Sequence, residues 1–393
     1  MPGWREGTKQ AEAEGRFRSI GIVEEQHPDR ARLFLQWKRI PWPVLVDALD
    51  LLNVPYVPIT LLIDEKGIIR SVAPPFSPPP QELEAGFGSG ASGGPEPGSP
   101  RPGPPPASRA PGGSPADDLF LWGGAGRLGD AIAAYEREVA SKPQDGAAHF
   151  RLGVALRRRY DSDARQPGDF QRAAAEWGRA LDLEPNDYIW RRRIEQYGPR
   201  LDKPYPFYDW VVEARRDITA RGETPVALTA EPGGAELTGR EASFTASAAG
   251  GQEPDPQGRV TRDAGAFILV DGAIVPARIS PGGAARVHLT FRPNDATRAH
   301  WNNEASDMVV WINPPPGFLV DSRRLTLPRP REPVSHEPRT IEFEVKTPPG
   351  VRGTLNLPAY ALYYVCEDVK GTCLYRRQDL SLKLEMQPAA AIK

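Results

Sequence analysis

The chain is poor in cysteine, with two in 393 residues. That excludes a disulfide-dense small scaffold and a four-cysteine zinc site, and it allows at most one internal disulfide. A net charge is also lacking: 49 Lys and Arg stand against 51 Asp and Glu, for a formal net of -2. No global basic field therefore argues for nucleic acid. No apolar run reaches 18 residues, so no transmembrane helix or stable membrane insertion is expected. A Gly-rich phosphate loop, a His-Glu-x-x-His motif and a credible Ser/His/Asp set are all missing, and neither a cofactor nor a metal is implied. What abounds is Pro (44) and Gly (38), about a fifth of the chain against a usual share of roughly 12%. One compact all-helical fold is thereby excluded.

The excess is uneven. Between Pro74 and Pro115, Pro and Gly make up 23 residues, with Leu83 nearly the sole aliphatic side chain. Such a stretch cannot offset its ordering entropy and reads as a disordered linker over 74–116. A weaker low-complexity stretch marks a flexible linker over 222–262. The remaining islands are 1–73, 117–221 and 263–387, followed by a tail at 388–393. The fold class expected is multidomain, with an α/β part, an all-α part and an all-β part.

In the first island Phe17–Glu24 and Trp42–Asp47 suit buried strands. His27-Pro28-Asp29 opens a helix with Leu33, Phe34, Trp37 and Ile40 on one face. Ile59–Ile63 and Ile68–Val72 form a hairpin around Asp64-Glu65-Lys66-Gly67. Through Val57-Pro58-Ile59-Thr60-Leu61-Leu62-Ile63-Asp64 and Gly67-Ile68-Ile69-Arg70, the island resembles thioredoxin-like proteins of the TlpA and alkyl-hydroperoxide-reductase group. The resemblance implies that Pro58 is the family's cis-proline. It also implies a first strand and a Cys-x-x-Cys pair ahead of this segment, and the island has neither. As written, the module cannot perform dithiol exchange. A missing central strand would leave apolar edges open.

The middle island matches a 34-residue helical repeat of the tetratricopeptide kind. Leu152, Gly153 and Leu156 fit its first helix. Ala173, Trp177, Ala180 and Pro185 fit the second helix and the terminating proline. Ala131, Tyr135 and Pro143 fit a preceding second helix, and about eight residues near 161–167 are inserted. The resemblance implies protein contact or a spacer. The clusters Arg157-Arg158-Arg159 and Arg191-Arg192-Arg193 read as solvated helix faces rather than a nucleic-acid patch.

The last island changes to period-two alternation. Its expected strands are Phe267–Val270, Ala285–Phe291, Met308–Ile312, Arg324–Leu327, Thr340–Lys346, Gly353–Val365 and Leu374–Glu385, in the manner of an antiparallel sandwich. Asn313-Pro-Pro-Pro-Gly is a rigid connection. His300-Trp301-Asn302-Asn303-Glu304 is a polar-aromatic cluster expected in a loop, more an ordered contact than a metal or catalytic site. Cys366 and Cys373 flank a Lys370-Gly371 turn and face each other across a hairpin, within disulfide reach. Closing so short a loop contributes about 2.5 kcal/mol in the chain-entropy model, less than joining distant strands would. A redox-active pair, a structural hairpin disulfide and two free thiols are the readings open to these residues.

The Tyr-rich approach to Cys366 and the Cys-x6-Cys spacing are similar to the N-terminal periplasmic domain of the thiol-disulfide interchange protein DsbD, an immunoglobulin-like sandwich. That resemblance implies that Cys366 and Cys373 exchange electrons with a partner, either a thioredoxin-like oxidoreductase or a DsbD-type reductant. It also implies an oxidising compartment. The expected location is periplasmic or extracytoplasmic if sequence precedes Met1, and cytoplasmic if Met1 is the true start. The competing expectation is a non-enzymatic adaptor with a redox-dead thioredoxin-like module and a structural disulfide.

Overall fold

The computed structural model describes residues 9–15, 18–54, 56–64, 66–73, 113–201, 208–237, 244, 251–368 and 371–387. Nearly all of the linker expected over 74–116, the tail at 388–393 and Lys370 lie outside them. The helices bounded within the described residues are α1 (Pro28–Lys38), α2 (Pro115–Trp122), α3 (Leu128–Ser141), α4 (Gly146–Tyr160), α5 (Asp169–Leu183), α6 (Tyr188–Glu195) and α7 (Trp210–Ala220). Together with several β-sheets they make a mixed, multidomain protein. The chain divides into two compact units: Met1–Ala131 with Asp187–Ile189 and Ala214–Thr229, and Ile132–Asn186 with Trp190–Glu213 and Ala230–Lys393. Most of the helical island thus shares a unit with the β-rich island.

In the first unit, β1 (Gly21–Val23) and β2 (Val44–Val46) pair in parallel around α1, while β3 (Thr60–Ile63) and β4 (Ile69–Ala73) form an antiparallel hairpin. α1 starts at Pro28, where a missing N–H costs nothing, with Asp29 in its first turn. The hairpin turn is fixed by Asp64, whose Oδ1 accepts from the N–H groups of Lys66 and Ile68 at 2.9 Å each. Gly67 takes the positive φ of +79° that the turn requires. The Val57–Pro58 bond is cis. The register partners Ile22 and Leu45 are both exposed, as are Leu61 and Ile63. Residues 222–229, expected in a flexible linker, are instead tied to α1. Gln36 donates to the Thr224 carbonyl (2.9 Å) and accepts from Val226 N–H (3.0 Å), and Trp37 Nε1 donates to Asp217 (2.9 Å).

In the second unit small residues let α4 and α5 approach. A Cβ on Gly153 would meet Trp177 Nε1 at 2.5 Å, and that indole donates to the Phe150 carbonyl at 3.2 Å. Trp177 stacks on Tyr197, with ring centroids 5.5 Å apart. The arginines differ from expectation. Arg157, Arg159 and Arg193 are buried, whereas Arg158 and Arg191 are exposed and Arg192 is half-buried. Arg157 and Arg159 have carboxylate partners: Asp161, one helical turn after Arg157, meets it at 2.9 and 3.0 Å, and the inserted turn brings Asp169 onto Arg159 at 2.9 and 2.6 Å. Such bidentate partners offset the cost of burying a guanidinium.

The strands of this unit are β5 (Ile268–Val275), β6 (Arg278–Ile279), β7 (Ala284–Pro293), β8 (Ala299–Asn302), β9 (Met308–Ile312), β10 (Leu319–Val320), β11 (Arg324–Leu327), β12 (Val334–Ser335), β13 (Arg339–Lys346), β14 (Thr354–Glu367) and β15 (Thr372–Met386). They form a four-stranded sheet in the order β10-β13-β7-β5 and a larger one in the order β11-β9-β14-β15-β6, with β8 joining β14 and β12. One apolar core takes residues from both: Val287, Leu289 and Phe291 from the first, and Trp301, Val310, Ala361, Tyr363 and Val365 from the second. The expected loop at His300–Glu304 is corrected here, since Ala299–Asn302 is strand β8. Ala299 and Trp301 alternate into the core and thereby fix the strand.

Helices lie on the four-stranded sheet through polar and aromatic contacts. The Tyr160 and Thr290 hydroxyls are 2.6 Å apart, and Phe170 meets His288 with ring centroids 5.0 Å apart. Gly168 N–H donates to Asp271 (3.1 Å), Ile274 N–H donates to Gln171 Oε1 (2.8 Å), and Arg278 pairs with Asp182. His288 Nδ1 meets Glu342 at 2.8 Å, and Arg286 bonds both Glu342 and Glu344. Residues 251–262, the far end of the expected linker, are largely exposed but likewise held by hydrogen bonds. Asp255 is buried, its carboxylate bonded by Arg377 at 2.9 Å and by Arg259 N–H at 2.8 Å.

This cluster should titrate. Burial raises the Glu342 carboxyl pKa, but His288 and Arg286 outweigh it and hold the group well below the usual carboxylate range. A depressed folded-state pKa contributes stability above the unfolded value, and that contribution is lost as pH falls through the folded one. Glu342→Gln is therefore expected to destabilise at pH 7 and progressively less below about pH 4. Urea titrations showing equal losses at both ends of that range would refute the assignment.

Candidate functional site

β14 and β15 are the longest strands, of 14 and 15 residues. Their register runs unbroken from Thr354↔Glu385 to Cys366↔Cys373 and Glu367↔Thr372. Successive side chains alternate between faces. Ala361, Tyr363 and Val365 enter the shared core, so Tyr364 and Cys366 of β14 and Cys373 and Tyr375 of β15 share the face turned away from it. The sequence places the pair correctly because Gly371, at φ +62°, closes the turn. Cys366 and Cys373 are joined by a disulfide, and neither is a free thiol.

The two cysteines are not equally exposed. Cys366 is buried, at 6% exposure, whereas Cys373 is exposed. Next along the same face, Tyr364 and Tyr375 stack with ring centroids 4.4 Å apart. Burial, reinforced by Tyr364, raises the Tyr375 pKa and keeps that phenol neutral. Deeper in the sheet Arg377 lies over the Tyr360 ring at 3.7 Å. Tyr360 is pushed up to about 12, chiefly by burial. Neither phenol is therefore a base at neutral pH.

β8 completes the site. It pairs with the other edge of β14, setting His300 opposite Cys366 and Trp301 opposite Val365. His300 Nδ1 lies 3.3 Å from Asp368 Oδ1, and the His336 ring centroid is 5.8 Å from that of His300. Sequence reasoning noted His300 but not its place beside the cysteines. The legible signal was the Ala-His-Trp-Asn alternation, too short and too polar to stand out as a strand. The remaining expected site residue, Pro58, is in the other compact unit, and that unit contains no cysteine. Among the described residues no group of three or more His, Cys, Asp and Glu could hold a metal ion. Among the same residues no helix is long and apolar enough to cross a membrane.

No family model matches the chain, and no curated protein matches it. Among solved structures it is similar to the bacterial hydrophobin BslA, at 15% identity and TM-score 0.19 over 30% of this chain and 96% of that one. It is also similar to AvmM, which catalyses macrocyclization in alchivemycin A biosynthesis, at 13% identity and TM-score 0.19 over 34% of this chain and 98% of that one. A third likeness is to a PapD-like domain of human CEP192, at 12% identity and TM-score 0.14 over 31% of this chain and 87% of that one. At such scores none of these carries an inference about fold or function.

Proposed function

We propose that the chain is a thiol-disulfide exchange protein that passes electrons between the Cys366–Cys373 pair and a partner oxidoreductase. The observation that carries this reading is the asymmetry of the disulfide, which joins an exposed residue, Cys373, to a buried one, Cys366, on the face away from the core. Exchange requires that one sulfur be reachable by an incoming thiolate and that the other leave. Cys373 is the reachable sulfur and Cys366 the leaving one. The bond also joins neighbours already held by a continuous ladder, so the two strands have other contacts to hold them when it opens.

The resemblance of this island to the DsbD N-terminal domain supports the same reading, with an immunoglobulin-like sandwich as the carrier and an oxidising compartment as the setting. The thioredoxin-like island then serves as a docking module and the tetratricopeptide-like helices as a protein-contact segment. The partner is a thioredoxin-like oxidoreductase or a DsbD-type reductant. Thiol trapping of the full chain across a glutathione and thioredoxin redox series tests this. The pair is expected to titrate within the series, above about -300 mV. A lower midpoint marks a structural bond and replaces this reading with that of an adaptor.

A further inference from the structure

We infer that His300 is the proton-transfer partner of Cys366, protonating the sulfur that leaves when the disulfide opens; this rests on the exchange reading above. Cys366 has a strand on each side. β15 sets Cys373 opposite it and β8 sets His300 opposite it. Directly opposed residues of antiparallel strands project to the same face, with Cβ atoms about 4.5–5.5 Å apart. The His300, Cys366 and Cys373 side chains therefore leave one row of the sheet on the same face.

The requirement for a proton follows from burial. A thiolate released at Cys366, 6% exposed, is poorly solvated, and a poorer leaving thiol slows exchange. An adjacent imidazolium both stabilises that thiolate and can neutralise it. The His300 side chain is itself only 12% exposed, with Nδ1 at 3.3 Å from the Asp368 carboxylate. With the carboxylate beside Nδ1, Nε2 is the ring nitrogen left for proton exchange. Among the described residues the other titratable and charged neighbours stand elsewhere. Tyr364 and Tyr375 stack on each other further along the strands. His336 follows β12, beside the His300 ring. Arg298 precedes β8, its carbonyl accepting from Asp368 N–H at 3.4 Å. Glu367 alternates to the opposite face of β14 and is buried. None of these is the register partner of Cys366.

In the opening step a thiolate of a dithiol reductant attacks Cys373 Sγ. The new S–S bond forms as the Cys373–Cys366 bond breaks. Its electron pair leaves on Cys366, which takes the proton from His300. The reductant's second thiolate then attacks its own sulfur in the mixed disulfide and releases Cys373. The pair gains two electrons, the reductant becomes a disulfide, and His300 regains its proton from solvent.

The test is the rate of disulfide opening by dithiothreitol in the full chain between pH 5 and pH 9, for the wild type, His300→Gln and Asp368→Asn. His300→Gln is expected to slow opening at least about tenfold near pH 6.5 and to remove the inflection in the pH profile. Asp368→Asn, at a side chain 60% exposed, is expected to displace that inflection with a smaller loss of rate. Should His300→Gln fail to fold, the Asp368→Asn profile decides, and an unchanged one overturns the proposal. A wild-type pair that opens readily while His300→Gln keeps the same rate and profile overturns it as well, with the exchange reading intact. A wild-type pair that does not open at all removes the exchange reading and this inference together.

Discussion

With Cys366 replaced by serine, the remaining Cys373 is expected to form a mixed disulfide with glutathione disulfide on the order of 10–100-fold faster than Cys366 does in the Cys373→Ser chain. The exposures dictate the direction. Cys373 lies open on β15, while Cys366 is enclosed between β15 and β8 at 6% exposure. Thiolate attack needs both ionisation and access, and Cys366 is short of access. The same contrast should hold for capture of a thioredoxin-like partner, with Cys366→Ser yielding the stable mixed disulfide. Mass spectrometry of the adducts over time measures it directly. Equal rates, or the faster reaction at Cys366, would reverse the assignment of attacked and leaving sulfur.

The largest loss of stability is expected from Trp301→Ala, about 3–5 kcal/mol. Trp301 is fully buried and meets Tyr363 edge-on at 5.9 Å. The Arg339 guanidinium lies over its ring at 4.2 Å. Its Nε1 donates to the Glu337 carbonyl at 2.9 Å, so truncation leaves a cavity, an uncovered cation and an orphaned acceptor at once. Because β8 is only four residues long, this side chain is also its main anchor. Urea unfolding should show a lower midpoint with an unchanged slope. A loss under about 1.5 kcal/mol would mean that the core beside β8 closes around the gap.

Where apolar residues alternate or run on unbroken, sequence and structure agree. Met308–Ile312 and Arg324–Leu327 form strands with the expected bounds, and Pro28 starts its helix where a missing N–H is tolerated. The cysteine hairpin was readable for the same reason, since a Gly at the turn and alternation on both sides leave one register. Polar side chains holding backbone were not readable. Asp255 orders residues 255–260 by accepting from Arg259 and Val260 N–H groups, and Gln36 does the same for residues 224–226. A composition scan sees only low complexity there. Arg159 misled for a related reason: its partner, Asp169, stands just after an insertion whose path no periodicity specifies.

One bond between a helix and the sheet carries a consequence for solubility. β5 is an outer strand of the four-stranded sheet, and its far side is where a foreign strand could add and begin an aggregate. The Ile274 amide there is taken by Gln171, and α5 adds a second hold through Gly168 and Asp271. A donor that another chain could have captured is satisfied within the molecule. The helical segment thus acts as a guard rail for the β-rich part, and helix and sheet are better expressed together than apart.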